Sequence, residues 1–305
     1  MEPVIVTAFW DVGRGDNCLL PRTNERYYRE FSEWARIRNR LIVYTDKQSE
    51  DTVKKIRNGY GLLDRTIVVV IEDIFSVENS LYEKMKTVEK DPEYLASRFR
   101  PDAMETRANF DYAWMLKYWA IADSRKYISK DDIIAWFDFG FNHINACYSD
   151  MSEFDFLWTL EQPIDKIKVY SLKDINDVNV FNSLQFQSDN IMGVFYLLPA
   201  SMAPLFWKYV REAAVALLEI QCIDDDQQLV LMACKSHPEA FDVHVSDRWY
   251  LALKENGANH LTVLKHINNV KPTMKARIDH KGMIAKRMIL YLKRSKKLAD
   301  KYIQK

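Results

Sequence analysis

DIIAWFDFGFN, residues 132–142, runs from five consecutive apolar positions straight into an acid, an aromatic and a glycine. A short apolar run that ends abruptly in turn residues reads as a strand buried on both faces. Asp138 then stands just past the strand, and in open α/β sheets ligands collect beyond the carboxyl ends of the strands. A carboxylate placed there can hold Mg²⁺ or Mn²⁺ against a diphosphate. Phe139 offers a ring to a flat ligand, and Gly140 permits a positive φ or a close approach of backbone. An aspartate that merely caps a turn would look the same in sequence.

Outward from this run, short β-branched segments alternate with longer amphipathic ones. Strands are expected at Val4 to Trp10, Leu41 to Thr45, Thr66 to Ile71 and Ile133 to Phe137. Between them, Tyr27, Phe31, Trp34 and Ile37 recur at helical spacing over residues 26–38, and Met104 to Ala122 reads as a long helix opened by Asp102 and Glu105. This β-α-β-α-β order predicts an α/β, Rossmann-type fold with a mixed, mostly parallel central sheet. Further strands are expected at Phe156 to Leu160, Ile167 to Leu172 and Met192 to Leu197, with a helix over Pro204 to Ile220 and another opening at Asp224. No Gly/Ser linker divides the chain, so residues 1–270 are expected to form one domain.

The 305 residues carry 43 Lys plus Arg against 43 Asp plus Glu, so no overall field draws the chain to nucleic acid. The Met1 end lacks a signal-peptide progression, and no apolar run nears the roughly 20 residues that cross a bilayer. Cys18, Cys147, Cys222 and Cys234 show no CxxC spacing, which predicts reduced core cysteines and a cytoplasmic location. GxxxxGK[ST], GxGxxG, HExxH and GxSxG are all absent, which argues against phosphate-loop ATPases, dinucleotide dehydrogenases, zincins and serine hydrolases.

Three other places carry candidate chemistry. VIVTAFWDVGRGD at residues 4–16 puts Thr7, Asp11, Gly13 and Arg14 at and beyond the end of the first strand, where amides and a guanidinium suit phosphate oxygens. Tyr44 and Thr45 end the second strand in the same way and can meet a base or ribose. IDDDQQL at residues 223–229 sets three carboxylates at a helix start. Asp224 with Gln227 reads as a capping pair, which leaves Asp225 or Asp226 as a general base, or else as acidic surface. On the long helix, Arg107, Asn109 and Lys117 are polar among aromatics. Lys117 shares a face with Phe110 and either points inward to an anion or snorkels to water.

TAFWDVGRG at Thr7 to Gly15, YYREFSEWARI, VYT, WFDFG around Asp138 and DDQ at Asp225 to Gln227 before PEAF together resemble the HtrL/YibB family, in order over most of residues 4–250. The resemblance implies a GT-A-like glycosyltransferase of surface-polysaccharide synthesis, with a nucleotide-sugar donor such as UDP-galactose and a glycan or lipid-diphosphate-linked acceptor. It puts Asp138 in the place of the metal-binding acidic motif for Mn²⁺ or Mg²⁺, and Asp225 or Asp226 in the place of the base. DFG supplies one carboxylate where many such enzymes show two, and His244, His260, His266 or His280 is a candidate to complete the metal site. The domain would divide into a donor side (1–140) and an acceptor side (141–270). A noncatalytic nucleotide-sugar or glycan-binding protein is the alternative. From Lys271 to Lys305, twelve Lys or Arg stand against Asp279 and Asp300, with apolar residues at helical spacing. That segment predicts a basic amphipathic helix able to lie on an anionic membrane surface.

Overall fold

The computed structural model describes residues 1–14, 22–99, 106–142, 147–246 and 250–264. The basic segment 271–305, His266, His280, Cys18 and the Asp102/Glu105 pair lie outside the described residues.

Seven strands form one sheet in the order β3-β2-β1-β4-β6-β5-β7. They are β1 (Val4–Phe9), β2 (Leu41–Thr45), β3 (Thr66–Val70), β4 (Ile133–Phe137), β5 (Ile167–Ser171), β6 (Phe195–Pro199) and β7 (Phe241–Val245). The helices are α1 (Asn24–Trp34), α2 (Lys47–Gly59), α3 (Asn79–Val88), α4 (Pro92–Ser97), α5 (Ala108–Asp123), α6 (Val180–Phe186), α7 (Ala203–Glu219), α8 (Asp226–Ser236) and α9 (Ala252–Glu255). β1 pairs in parallel with β2 and β4, β2 with β3, and β5 with β7, while β6 runs antiparallel to β4 and β5. The expected mixed, mostly parallel α/β sheet is thus borne out.

Alternation along each strand sends side chains to two separate cores. Val4, Val6, Ile42, Tyr44, Ile134, Trp136 and Tyr196 join the core under α5 and α7, whereas Ile5, Phe9, Val43, Ala135, Phe137 and Phe195 join the core under α1. Both faces being covered explains why these strands read as continuous apolar runs. Helix α5 is buried around most of its circumference, packed between β1 and α7. A helix that is apolar on all sides belongs inside the fold, and it carries Lys117 with it.

The expected strand at Phe156 to Leu160 does not form. Its backbone finds partners elsewhere: Trp158 N donates to Asn39 Oδ1 at 2.8 Å, Asn39 Nδ2 donates to Trp158 O at 2.9 Å, and Leu160 N donates to Met1 O at 2.8 Å. A buried backbone group needs a partner but not necessarily a ladder. Cys147 and Cys234 are buried free thiols, and Cys222 is partly buried. No helix among the described residues is long and apolar enough to cross a membrane.

Candidate functional site

The carboxyl ends of β1, β2 and β4 open at one edge of the sheet, and the reversed β6 begins there. Asp138 follows β4 directly, and its N–H donates to Val194 O at 3.0 Å, so the start of β6 fixes it. Trp136 Nε1 donates to Asp138 Oδ1 at 3.0 Å. Lys117 Nζ, projecting from α5, lies 3.0 Å from the same oxygen and 2.9 Å from Asp226 Oδ2. One buried ammonium therefore joins the two carboxylates, and it also faces Gly193 O at 3.4 Å. Lys117 points inward as one of its two readings required, and its anion is a pair of aspartates. Asp138 is the member that meets solvent, with 29% of its side chain exposed against 6% for Asp226.

Behind the pair the polar chain continues inward. Tyr118 Oη donates to Asp226 Oδ2 at 3.0 Å and lies 2.8 Å from Tyr196 Oη. Burial pushes the Asp226 carboxyl up; Lys117 pulls it back and Asp138 pushes it further, leaving it above the usual carboxylate range. For Lys117, burial opposes the charge, but Asp138 and Asp226 outweigh it and hold the ammonium above the ordinary lysine value. Gly193 makes room for this arrangement, since a Cβ there would fall 2.6 Å from Asp226 Oδ2.

The aspartate triplet divides three ways. Asp224 does not cap the helix: its Oδ2 receives Arg98 Nη2 at 2.6 Å in an ion pair sealed from solvent. Asp225 is the cap of α8, accepting from Gln227 N at 3.0 Å and Gln228 N at 3.4 Å. A carboxylate at a helix N-terminus satisfies orphan amides and the helix dipole together. Asp226 is left to face Lys117. All three are buried, so the acidic-surface reading fails, because each carboxylate has its own partner.

The exit of β1 forms a second polar group beside the first. Asp11 Oδ1 accepts from Gly13 N at 3.0 Å, and Gly13 adopts φ 79° to close the turn. Asn24 Nδ2 donates to the other Asp11 oxygen at 2.9 Å, and Asp11 N donates to Asp46 Oδ2 at 2.9 Å, tying the β1 and β2 exits together. Asn109 Nδ2 donates to Val12 O at 2.7 Å, and Arg107 is exposed just before α5. Arg14 lies partly buried over the Tyr27 and Trp114 rings, 5.3 and 5.4 Å from their centroids.

Other residues expected to meet a ligand are buried within the fold. Thr7 sits inside β1 opposite Val43, and Thr45 is sealed at the end of β2. Tyr44 Oη donates to Asp123 Oδ2 at 2.9 Å beneath the sheet. Phe139 stacks between Phe31 at 4.3 Å and Phe9 at 4.8 Å, which makes it core rather than a platform. Gly140 has no positive φ; it is needed because a Cβ would lie 2.9 Å from Glu30 Oε2 and 3.2 Å from Tyr27.

The described residues do not fit a bound metal. Among them no group of three His, Cys, Asp or Glu converges on a point, and the Lys117 ammonium stands between Asp138 and Asp226. His244 is on β7, three strands from β4, beside Glu255 at 3.5 Å. His260 rests on Phe156 and Glu153 O. Sequence reading missed Tyr27, Tyr118, Tyr196 and Gly193. Only Tyr27 and Tyr118 had a local signal, being aromatic residues with a hydroxyl in helices that turn toward the sheet.

Residues 1–255 match the family model described as "Bacterial protein of unknown function (HtrL_YibB)". The chain is 24% identical over 270 residues to Protein HtrL of Escherichia coli (strain K12), covering 81% of this chain and 89% of that protein. Among solved structures it is similar to mouse xyloside xylosyltransferase 1 in its apo form, with 14% identity, a TM-score of 0.40, and coverage of 80% and 85% of the two chains.

Proposed function

The chain belongs to the HtrL/YibB family, and we propose that it is a GT-A-type glycosyltransferase moving a sugar from a nucleotide-sugar donor to a hydroxyl. The donor in this reading is a UDP-sugar, with galactose the best candidate, and the acceptor is a glycan or a lipid-diphosphate-linked sugar of surface-polysaccharide synthesis. Residues 1–140 form the donor side and 141–270 the acceptor side. The observation that carries the reading is Asp138. It is a partly exposed carboxylate at the carboxyl end of a central parallel strand, held in place by a buried Lys117 that also holds Asp226.

In the reaction, the acceptor oxygen attacks the anomeric carbon on the face opposite the diphosphate. A new C–O bond forms, the bond to the diphosphate oxygen breaks with its electron pair leaving on UDP, and the hydroxyl proton passes to a carboxylate. Asp226 is favoured over Asp225 for that proton. Asp225 is committed to two backbone amides as the helix cap, whereas Asp226, held by Lys117 and Tyr118, has its carboxyl raised above the usual range. In-line attack of this kind inverts the anomeric configuration. Asp138 lies on the donor side, and its charge is expected to orient the sugar hydroxyls.

Calorimetry with UDP, GDP, CMP and the corresponding UDP-sugars tests the donor assignment. UDP-sugar is expected to bind more tightly than the other nucleotides, and Asp138→Asn to weaken UDP-sugar binding by about tenfold, the scale of one hydrogen bond to a charged group. Binding of UDP-galactose by Asp138→Asn as tight as by the parent would remove Asp138 from the donor site.

A further inference from the structure

Two arginines beside the proposed donor site share a single phenol. Arg14 Nη1 donates to Tyr27 Oη at 2.5 Å, and the Arg22 guanidinium acts on the same phenol. Their backbones are joined as well, with Arg22 N donating to Arg14 O at 3.4 Å. Burial would raise the Tyr27 phenol, yet the two guanidiniums hold it below its ordinary value. Two positive charges thus converge on one neutral oxygen.

The nearby acids each have another partner, and the Glu30 charge also acts on Arg22. Glu30 receives Arg26 at 2.9 Å, Asp138 and Asp226 share Lys117, and Asp11 accepts from Asn24 and Gly13. Among the described residues neither Arg14 nor Arg22 is ion-paired with a carboxylate, and Arg14 Nε is buried without a hydrogen-bond partner. The Tyr27 ring packs where a Gly140 side chain would stand, two residues past Asp138. Tyr250 experiences the charges of both Asp138 and Arg22. The cationic pair therefore borders the donor-side carboxylate.

We propose that Arg14 and Arg22, aligned by Tyr27, clamp the diphosphate of the donor, so that this site binds a nucleoside diphosphate without a divalent ion. The inference rests on the nucleotide-sugar reading above and adds the means of neutralising the leaving group. Guanidinium groups suit this because their planar fork meets phosphate oxygens in bidentate fashion and keeps its charge at all working pH values. Lys117 cannot do the same, because its ammonium is committed to Asp138 and Asp226.

The test is calorimetry on the full chain in EDTA with UDP, UMP and inorganic pyrophosphate. UDP and pyrophosphate are expected to bind without metal. Arg14→Gln and Arg22→Gln are each expected to weaken both by about 10- to 100-fold, with UMP affected less. Arg26→Gln, whose parent side chain is paired with Glu30, should bind as the unmodified protein does. If Arg14→Gln fails to fold, Arg14→Lys and Arg22→Gln carry the measurement, with a smaller loss for the lysine. Unchanged affinity in folded arginine variants, or UDP binding that appears only on adding Mn²⁺, would overturn the clamp. Clamp-dependent pyrophosphate binding without turnover of any UDP-sugar would leave the clamp standing and remove the transfer reading. Turnover with unaffected arginine variants would do the reverse.

Discussion

Lys117→Met is expected to destabilise the protein by about 3–5 kcal/mol, the scale for removing one partner of a buried ion pair. The lysine is only 8% exposed and neutralises two carboxylates at once. Methionine fills the volume but leaves Asp138 and Asp226 facing each other without a cation. Urea denaturation should therefore show a lower midpoint at an unchanged m-value. The pH dependence follows from the directions of the shifts. Lys117 is raised in the folded state, so its contribution is fully present below the ordinary lysine pKa of ~10.4 and is lost as the pH rises beyond it. Asp226 is also raised, so it favours the folded state most at acid pH, and that contribution fades as the pH rises from ~3.9 through the folded value. Without the lysine the second effect should grow, making the variant relatively most stable in acid. A midpoint equal to that of the parent at neutral pH would show that Lys117 is not the keystone of the site.

Asp226→Asn is expected to lower sugar transfer by roughly 10² to 10⁴, the range for losing a general base, with UDP affinity nearly kept. Asparagine has the same shape and can still accept from Tyr118 and Lys117, so the loss would report the missing proton acceptor. The contrasting variant is Asp225→Ala, which removes a helix cap and should cost about 0.5–2 kcal/mol of stability with a much smaller effect on rate. Steady-state kinetics of both variants, each checked for its melting temperature, separates the two roles. Parent-like turnover by Asp226→Asn would mean that the aspartate only positions Lys117.

The fold was largely legible because it rests on local signals. Leu41–Thr45 and Ile133–Phe137 are strands with the expected bounds, since runs of apolar residues covered on both faces leave little choice of register. The place of Asp138 followed from the same reasoning. β7 was missed because FDVHV sits at a sheet edge, half exposed, with an acid and a histidine in its alternation. Phe156 to Leu160 failed as a strand because Asn39, 119 residues away from Trp158, supplies the partners. The aspartate triplet was misassigned for the same reason. Capping preference alone chose Asp224, but Arg98, 126 residues away, claims it and shifts the cap by one. Lys117 was ambiguous in sequence because an inward and a snorkelling lysine differ only in what lies opposite. What lies opposite is set by the sheet order.

Sugar transfer from a nucleotide donor is tested by product formation from UDP-galactose by the full chain, in EDTA and in Mn²⁺, with Asp226→Asn alongside. Release of UDP is expected, with an inverted anomeric configuration in the product, proceeding in EDTA and falling by roughly 10² or more in the variant. UDP-sugar that binds but is never turned over under either condition would rule out transfer and leave a nucleotide-sugar-binding protein.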